Sequence, residues 1–351
     1  MKAELNSCAY DRSKELKNCS FIKTVMMLSV VVFHSSLFWL RDSFFVEKAA
    51  FPAPPLALLA EFLGAIHIYV FTLISGYIFS YQKLEVKKYT FFASFVLNKT
   101  KRLIVPYAFV SMFWVIPFAI LFFKYDALTI FNRYFLATNP NQLWFLLMLF
   151  EVYLIGFLLC NCFADKGLLG FLFVFIIYIA GLIGRQFIPN YFGIWKTCEF
   201  LLFFYIGFKI RQYGSMYLRK NITVLLFLTF VFFLLFHFFS KQTQFAMRLM
   251  GRGFESALNV IGSCTAFILC QKTADIKNWE RNMCFSFVSQ KAMGIYLFHQ
   301  QFVYISFYLF NGYLNPYLNF FLNVIISLSA SICMTSLFMK FRITRFLIGE
   351  K

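Results

Sequence analysis

The sequence predicts an all-α polytopic integral membrane protein with about ten transmembrane helices and both termini in the cytosol. Three observations carry this. Of the 351 residues, 61% are hydrophobic and only 14% are charged, where a soluble domain carries about 25% charged residues. The apolar residues come in long unbroken blocks rather than in period-2 or period-3.6 stripes. Roughly 20 residues of helix cross the hydrocarbon core and satisfy their own backbone polar groups there, whereas a barrel would alternate in short segments. Third, the basic residues lie mostly on one side: 24 of the 33 Lys and Arg fall on the side of the termini and nine on the other, which places both termini in the cytosol.

The expected spans cover about 21–40, 58–80, 103–123, 142–161, 167–184, 197–209, 221–240, 255–271, 290–310 and 316–339. The sixth, "TCEFLLFFYIGFK", is the shortest. This divides the chain into a cytosolic segment (1–20), one transmembrane domain (21–340) and a cytosolic tail (341–351). The net charge of +18 follows from this topology. It gives no support for a nucleic-acid partner, which would need a basic surface on a soluble module; the lipid bilayer is the expected surrounding. The nine cysteines fall in spans or on the cytosolic side, and Cys160 and Cys162 lack zinc spacing, so no metal is expected.

Function has to come from polar residues in the apolar blocks, because an ionisable side chain inside a span costs about 2.5–3.5 kcal/mol on insertion scales. The stretch "SFIKTVMMLSVVVFHSSLFWL" holds Lys23 near its start and His34 deep within it. Eleven residues at about 100° each nearly complete three turns, so the two share one face, about 16 Å apart along the axis. Lys23 also suits a snorkelling anchor. A basic cluster, "NKTKRLIVPY", places Lys99, Lys101 and Arg102 before the third span. It satisfies the positive-inside rule and equally suits a phosphate site, since Arg forks onto phosphates and Lys adds point charge. In "LISGYIFSYQ", Ser75 and Gly76 suit close helix approach and Tyr77 follows them. His67 and His237 suit packing or interfacial positions.

Glu61, Glu199 and Glu255 are expected at the outer starts of their helices, where the dipole favours carboxylates. Glu151 lies ten residues into "QLWFLLMLFEVYL", near mid-membrane, and needs a partner or a proton. In "AMGIYLFHQQF", Tyr296 and His299 share a helix face. A histidine at this depth above a basic cluster suits general-base chemistry or a proton relay, and the pattern alone does not choose between them.

Five elements in order resemble the integral-membrane acyltransferase 3 family, the O-acyltransferases of bacterial surface glycans. They are the Lys23–His34 spacing, "LISGYIF", "NKTKRLIVPY", "LWFLLMLF" and "AMGIYLFH". Two positions depart from the family pattern: Ser20 stands where an aspartate is frequent, and Lys99 where an arginine is usual. The resemblance implies an O-acetyltransferase of the bacterial cytoplasmic (inner) membrane, with acetyl-CoA as donor and a surface polysaccharide, such as O-antigen or capsule, or its lipid-linked precursor as acceptor. On that footing Lys23, Lys99, Lys101 and Arg102 would meet the CoA phosphates. His34 would be the base or acyl carrier, with Glu151 or His299 orienting it. Glu61, Tyr77, Trp144, Glu199, Glu255 and Tyr296 would line the acceptor path. The alternative is an exporter or flippase of such a polysaccharide, which would need neither acetyl-CoA nor a phosphate cluster.

Overall fold

A computed structural model describes residues 2–276, 279 and 282–350, and among them the only regular structure is helical. The chain builds α1 (Lys2–Ser36), α2 (Pro54–Glu85), α3 (Phe92–Phe123), α4 (Asn141–Leu158), α5 (Gly167–Phe187), α6 (Ile194–Tyr213), α7 (Ile222–Ser240), α8 (Phe245–Ile276), α9 (Ala292–Phe310) and α10 (Pro316–Phe338). Eight of these, all but α6 and α9, are long and apolar enough to cross a membrane. Helices α6 and α9 occupy the two other expected places but carry charged or amide side chains, including Lys196 and Glu199 in one and Gln300 and Gln301 in the other.

Helix starts differ from expectation. Helix α1 begins at Lys2, so the N-terminal segment continues the helix of the first span. Helices α2 and α8 begin at Pro54 and Phe245, well before Glu61 and Glu255. Glu199 lies in the second turn of α6. None of the three carboxylates therefore caps a helix N-terminus. The first two turns of α8 carry Arg248 and Arg252 among apolar residues, so the apolar block starts later than the helix does.

Helix α3 is irregular for a reason visible in its prolines. Pro106 and Pro117 have no N–H for the carbonyls of Arg102 and Phe113, and their rings crowd those oxygens. The turns upstream widen accordingly into π-turns at Thr100–Ile104 and Ser111–Val115, with a third at Ala119–Phe123. The C-terminal turn docks on the first of these: Gly349, at φ +75°, lies so close to Pro106 and the Arg102 carbonyl that a Cβ there would sit 2.7 Å and 3.0 Å from them.

The interior is held by close backbone approach and by polar pairs. A Cβ on Gly76 would lie 1.9 Å from the Phe204 carbonyl oxygen, and one on Gly207 would lie 1.8 Å from that of Leu73. Helices α2 and α6 thus touch backbone to backbone, the small-residue packing expected of Ser75–Gly76. Helix α9 lies against α10, where Asn319, Asn323, Ser327, Ser331 and Thr335 form a buried polar stripe at every fourth residue. Gly294 seats itself on Thr335.

Gly76→Val and Gly207→Val are expected to separate α2 from α6. Overpacking typically costs about 1–3 kcal/mol, and here the obstruction is backbone. Each variant should lower the thermal midpoint of the detergent-purified protein by several degrees or abolish its recovery, whereas Gly253→Ala, whose Cβ meets nothing within 4 Å, should not.

Candidate active site

A cavity of about 320 Å³ opens among α1, α3, α4 and α9. Lys23 comes from α1, and Lys99 and Arg102 come from α3 through its first π-turn. Two helices distant in sequence thus bring three cations to one cavity. The Lys99 ammonium rests 3.3 Å from the centre of the Tyr153 ring, a cation–π contact that holds it over the cavity. Glu350 is the one carboxylate on the lining among the described residues. Farther in, the lining turns apolar with Met27, Phe71, Phe145 and Leu149, and it reaches Tyr296. The cavity thus has a cationic mouth and an apolar body.

One turn beyond Tyr296 on α9 is His299, fully buried. Its Nε2 lies 2.8 Å from Nδ1 of half-buried His34 on α1. Its Nδ1 lies 3.0 Å and 2.9 Å from the carbonyl oxygens of Ile295 and Tyr296. Carbonyls only accept, so His299 Nδ1 carries the hydrogen and its Nε2 offers a lone pair. For two neutral rings His34 Nδ1 must then donate to His299, which leaves the lone pair of His34 on Nε2. The order of protons is fixed by two backbone carbonyls. Phe44 stacks on the His34 ring at 5.8 Å, and beyond it Phe38, Phe45, Tyr304 and Phe307 close an aromatic cluster. His34 is not itself on the cavity lining; Tyr296 is the nearest lining residue on α9.

The remaining candidates fall in several places. Lys101 is exposed and off the cavity, two residues from Lys99 and so about 200° away around the helix, while Arg102, three residues on, returns to the wall. Tyr77 accepts from Arg211 at 3.2 Å, beside the Arg211–Glu85 ion pair, and lines no cavity described here. Glu151 accepts from Thr197 on α6 at 2.7 Å, whereas the partner that orients His34 is His299. Trp144 lies under the Lys196 ammonium at 3.7 Å and beside Phe200. The hydroxyl of Tyr296 donates to the Gln142 carbonyl. Glu61 bonds His237, and Glu199 pairs with Arg185 at 3.1 Å. Glu199 and Glu255 share a second cavity with Arg185, Arg248 and Arg252.

Sequence reasoning missed Glu350 and a buried amide network. Gln142 donates to Leu297 O at 3.0 Å and to Gln301 at 2.9 Å, and Gln301 accepts from Trp114 at 3.1 Å. The adjacent glutamines in "FHQQF" were its one visible signal. Nothing local in "LIGEK" marks Glu350, which is placed by the docking of Gly349 on α3.

Many apolar helices, a cavity with a cationic mouth and a buried pair of bonded histidines describe a multi-pass membrane protein with groups suited to group transfer. Residues 18–340 match the acyltransferase 3 family, described as an acyltransferase domain, and the chain belongs to that family. It is thereby a membrane acyltransferase, acting on an acyl donor and an acceptor. No curated protein and no solved structure matches the chain.

Burial pushes the Glu350 carboxyl up from its ordinary range, against the pull of Arg102 and Lys291. The docked tail therefore holds its proton more tightly than a free carboxyl near 4.3 does. Docking should be firmest at low pH and weaken as pH rises through the raised value. Hydrogen-exchange protection of the Gly349 and Glu350 amides, corrected for intrinsic rate, should fall as pH rises above the ordinary carboxyl range, and Glu350→Gln should flatten that profile.

Proposed function

We propose that this protein transfers an acetyl group from cytosolic acetyl-CoA to a hydroxyl of a cell-surface polysaccharide or its lipid-linked precursor. The setting is a bacterial cytoplasmic membrane, crossed ten times with both termini in the cytosol. The observation that carries this reading is the cavity that joins Lys23, Lys99 and Arg102 to Tyr296, one turn from the bonded pair His34–His299. Its cationic mouth suits the CoA phosphates and its apolar body suits a narrow thioester arm. Arg102 supplies forked donors, and Lys23 and Lys99 supply charge.

The chemistry follows from the proton order. His34 Nε2 takes the proton of the acceptor hydroxyl as its oxygen attacks the thioester carbonyl. The carbon–sulfur bond breaks, and the proton passes to the departing CoA thiolate, restoring the pair. His299 is a positioning residue: it accepts from His34 Nδ1 and keeps the Nε2 lone pair toward substrate. The same lone pair would carry the acetyl group if transfer passed through an acyl-histidine. Glu199 and Glu255, with Trp144 and Tyr296, are proposed on the acceptor side, and aromatic faces there suit sugar rings.

Transfer of labelled acetyl from acetyl-CoA to the surface glycan, in membranes matched for protein level, tests this. His34→Ala should lower kcat by about 10²–10⁴, the range for loss of a general base. His299→Ala should fall nearly as far, with little change in KM. His299→Gln, whose side-chain oxygen can accept from His34 Nδ1, should recover part of the loss. Unchanged acetylation in His34→Ala, or glycan that no longer reaches the surface while its acetate content per chain is normal, would overturn the reading in favour of export.

The cations make a separate prediction. Arg102→Ala and Lys23→Ala should each raise KM for acetyl-CoA about tenfold, or about 1.4 kcal/mol. Lys101→Ala, off the cavity, should stay within about twofold. Desulfo-CoA as a competitive ligand separates binding from chemistry in the same variants.

A further inference from the structure

The second cavity, about 880 Å³, lies between α5, α6 and α8 and reaches Tyr69 on α2. Two unlike walls meet in it. Helix α5 contributes Ile179, Leu182, Ile183 and Phe187, of which Ile183 is 54% and Phe187 81% exposed. Exposed apolar side chains on a helix that crosses the membrane face hydrocarbon, so the cavity opens sideways to the lipid. Opposite them, Arg248 and Arg252 stand one turn apart on one face of α8.

The charges do not balance. Arg185 is committed to Glu199 at 3.1 Å. Arg248 and Arg252 face the same space with Glu255 and have no carboxylate within ion-pair distance among the described residues. Three cations against two acids leave one positive charge over, beside apolar surface. Arg41 and Lys196 add to the positive field at Glu255 and Glu199. A cation in such a place calls for an anion that is itself attached to hydrocarbon.

We infer that this cavity holds the phosphate-bearing head of a long-chain lipid, with the chain along the apolar face of α5 and the phosphate between Arg248 and Arg252. Arg is suited to this by its forked donors. Tyr69 forms part of the inner wall and is two residues from His67. The His67 ring lies 4.8 Å from that of Phe33, the neighbour of His34. Helix α2 thus presents Tyr69 to this cavity and His67 toward the first helix. As the anchorage of a lipid-linked acceptor, this assignment rests on the function proposed above; as a lipid-phosphate site it stands on the cavity alone.

The test uses the full chain in nanodiscs and a photoreactive polyisoprenyl phosphate, with no acyl donor present. Labelled peptides should map to α5 and α8. Arg248→Gln/Arg252→Gln should lower labelling at least tenfold. Gly253→Trp should do the same by filling the cavity, since a Cβ at Gly253 meets nothing within 4 Å and the position lines the space. The matching isoprenyl alcohol should label poorly, and inorganic phosphate should not compete. Equal labelling by the alcohol, or labelling that survives both variants, overturns the site. Competition by phosphatidylglycerol as strong as by the isoprenyl phosphate upholds a lipid-phosphate site and assigns it to bulk phospholipid. Labelling that persists while glycan acetylation proves absent leaves this site standing without the proposed acceptor, and acetylation that persists when the variants lose labelling removes the acceptor role of this site and leaves the function proposed above standing.

Discussion

Hydrocarbon offers a polar side chain no water, so those that enter the helix bundle turn to carbonyls of their own helix, as Ser331 and Thr335 do, or to a neighbouring helix. That constraint organises this molecule. Thr229 and Thr265 pair at 2.9 Å between α7 and α8. Glu151 and Thr197 join α4 to α6, and Gln142, Gln301 and Trp114 join the start of α4 to α9 and α3. His34 and His299 join α1 to α9. These bonds fix which faces meet, while the glycines of α2 and α6 fix how closely. The bond proposed to orient a base is therefore also one of the ties between the first helix and the ninth.

Much of this was legible in the sequence because it is one-dimensional. Apolar block length located the helices, and the small pair Ser75–Gly76 announced a close contact. Lys23, Lys99 and Arg102 were recognisable as one cationic group, and His34 and His299 as residues at similar depth. What stayed hidden depends on rotation about helix axes. Lys101 sits between two cavity residues in sequence and points elsewhere, about 200° around the helix from Lys99. Glu151 meets Thr197 on α6, and His299 meets His34. Hydropathy locates the edge of an apolar block and not the first helical residue, so Glu61 and Glu255 lie inside their helices rather than at their starts.

The two cavities divide the polar residues by sign and by surroundings. One has a cationic mouth, a single carboxylate and an apolar depth. The other mixes arginines and glutamates and opens beside exposed apolar side chains. The bonded histidines line neither, and the rings of Phe33, Phe44, Tyr296 and His67 stand around them. A two-substrate reaction needs this separation, since each ligand must reach the centre without crossing the other's binding surface.

The prolines of α3 have one more consequence. A π-turn takes in about one residue more than an α-turn, and so shifts everything beyond it by about 100° in helical phase. Two such turns, at Thr100–Ile104 and Ser111–Val115, amount to about 200° before the third, at Ala119–Phe123, ends the helix. The helix thus leaves its regular register and does not regain it. Lys99 and Arg102 are aimed by one phase, and Trp114, which reaches Gln301, by another. The stretch that grips the proposed donor and the stretch that packs the core can each face inward, on a helix whose regular winding would have made those two demands compete.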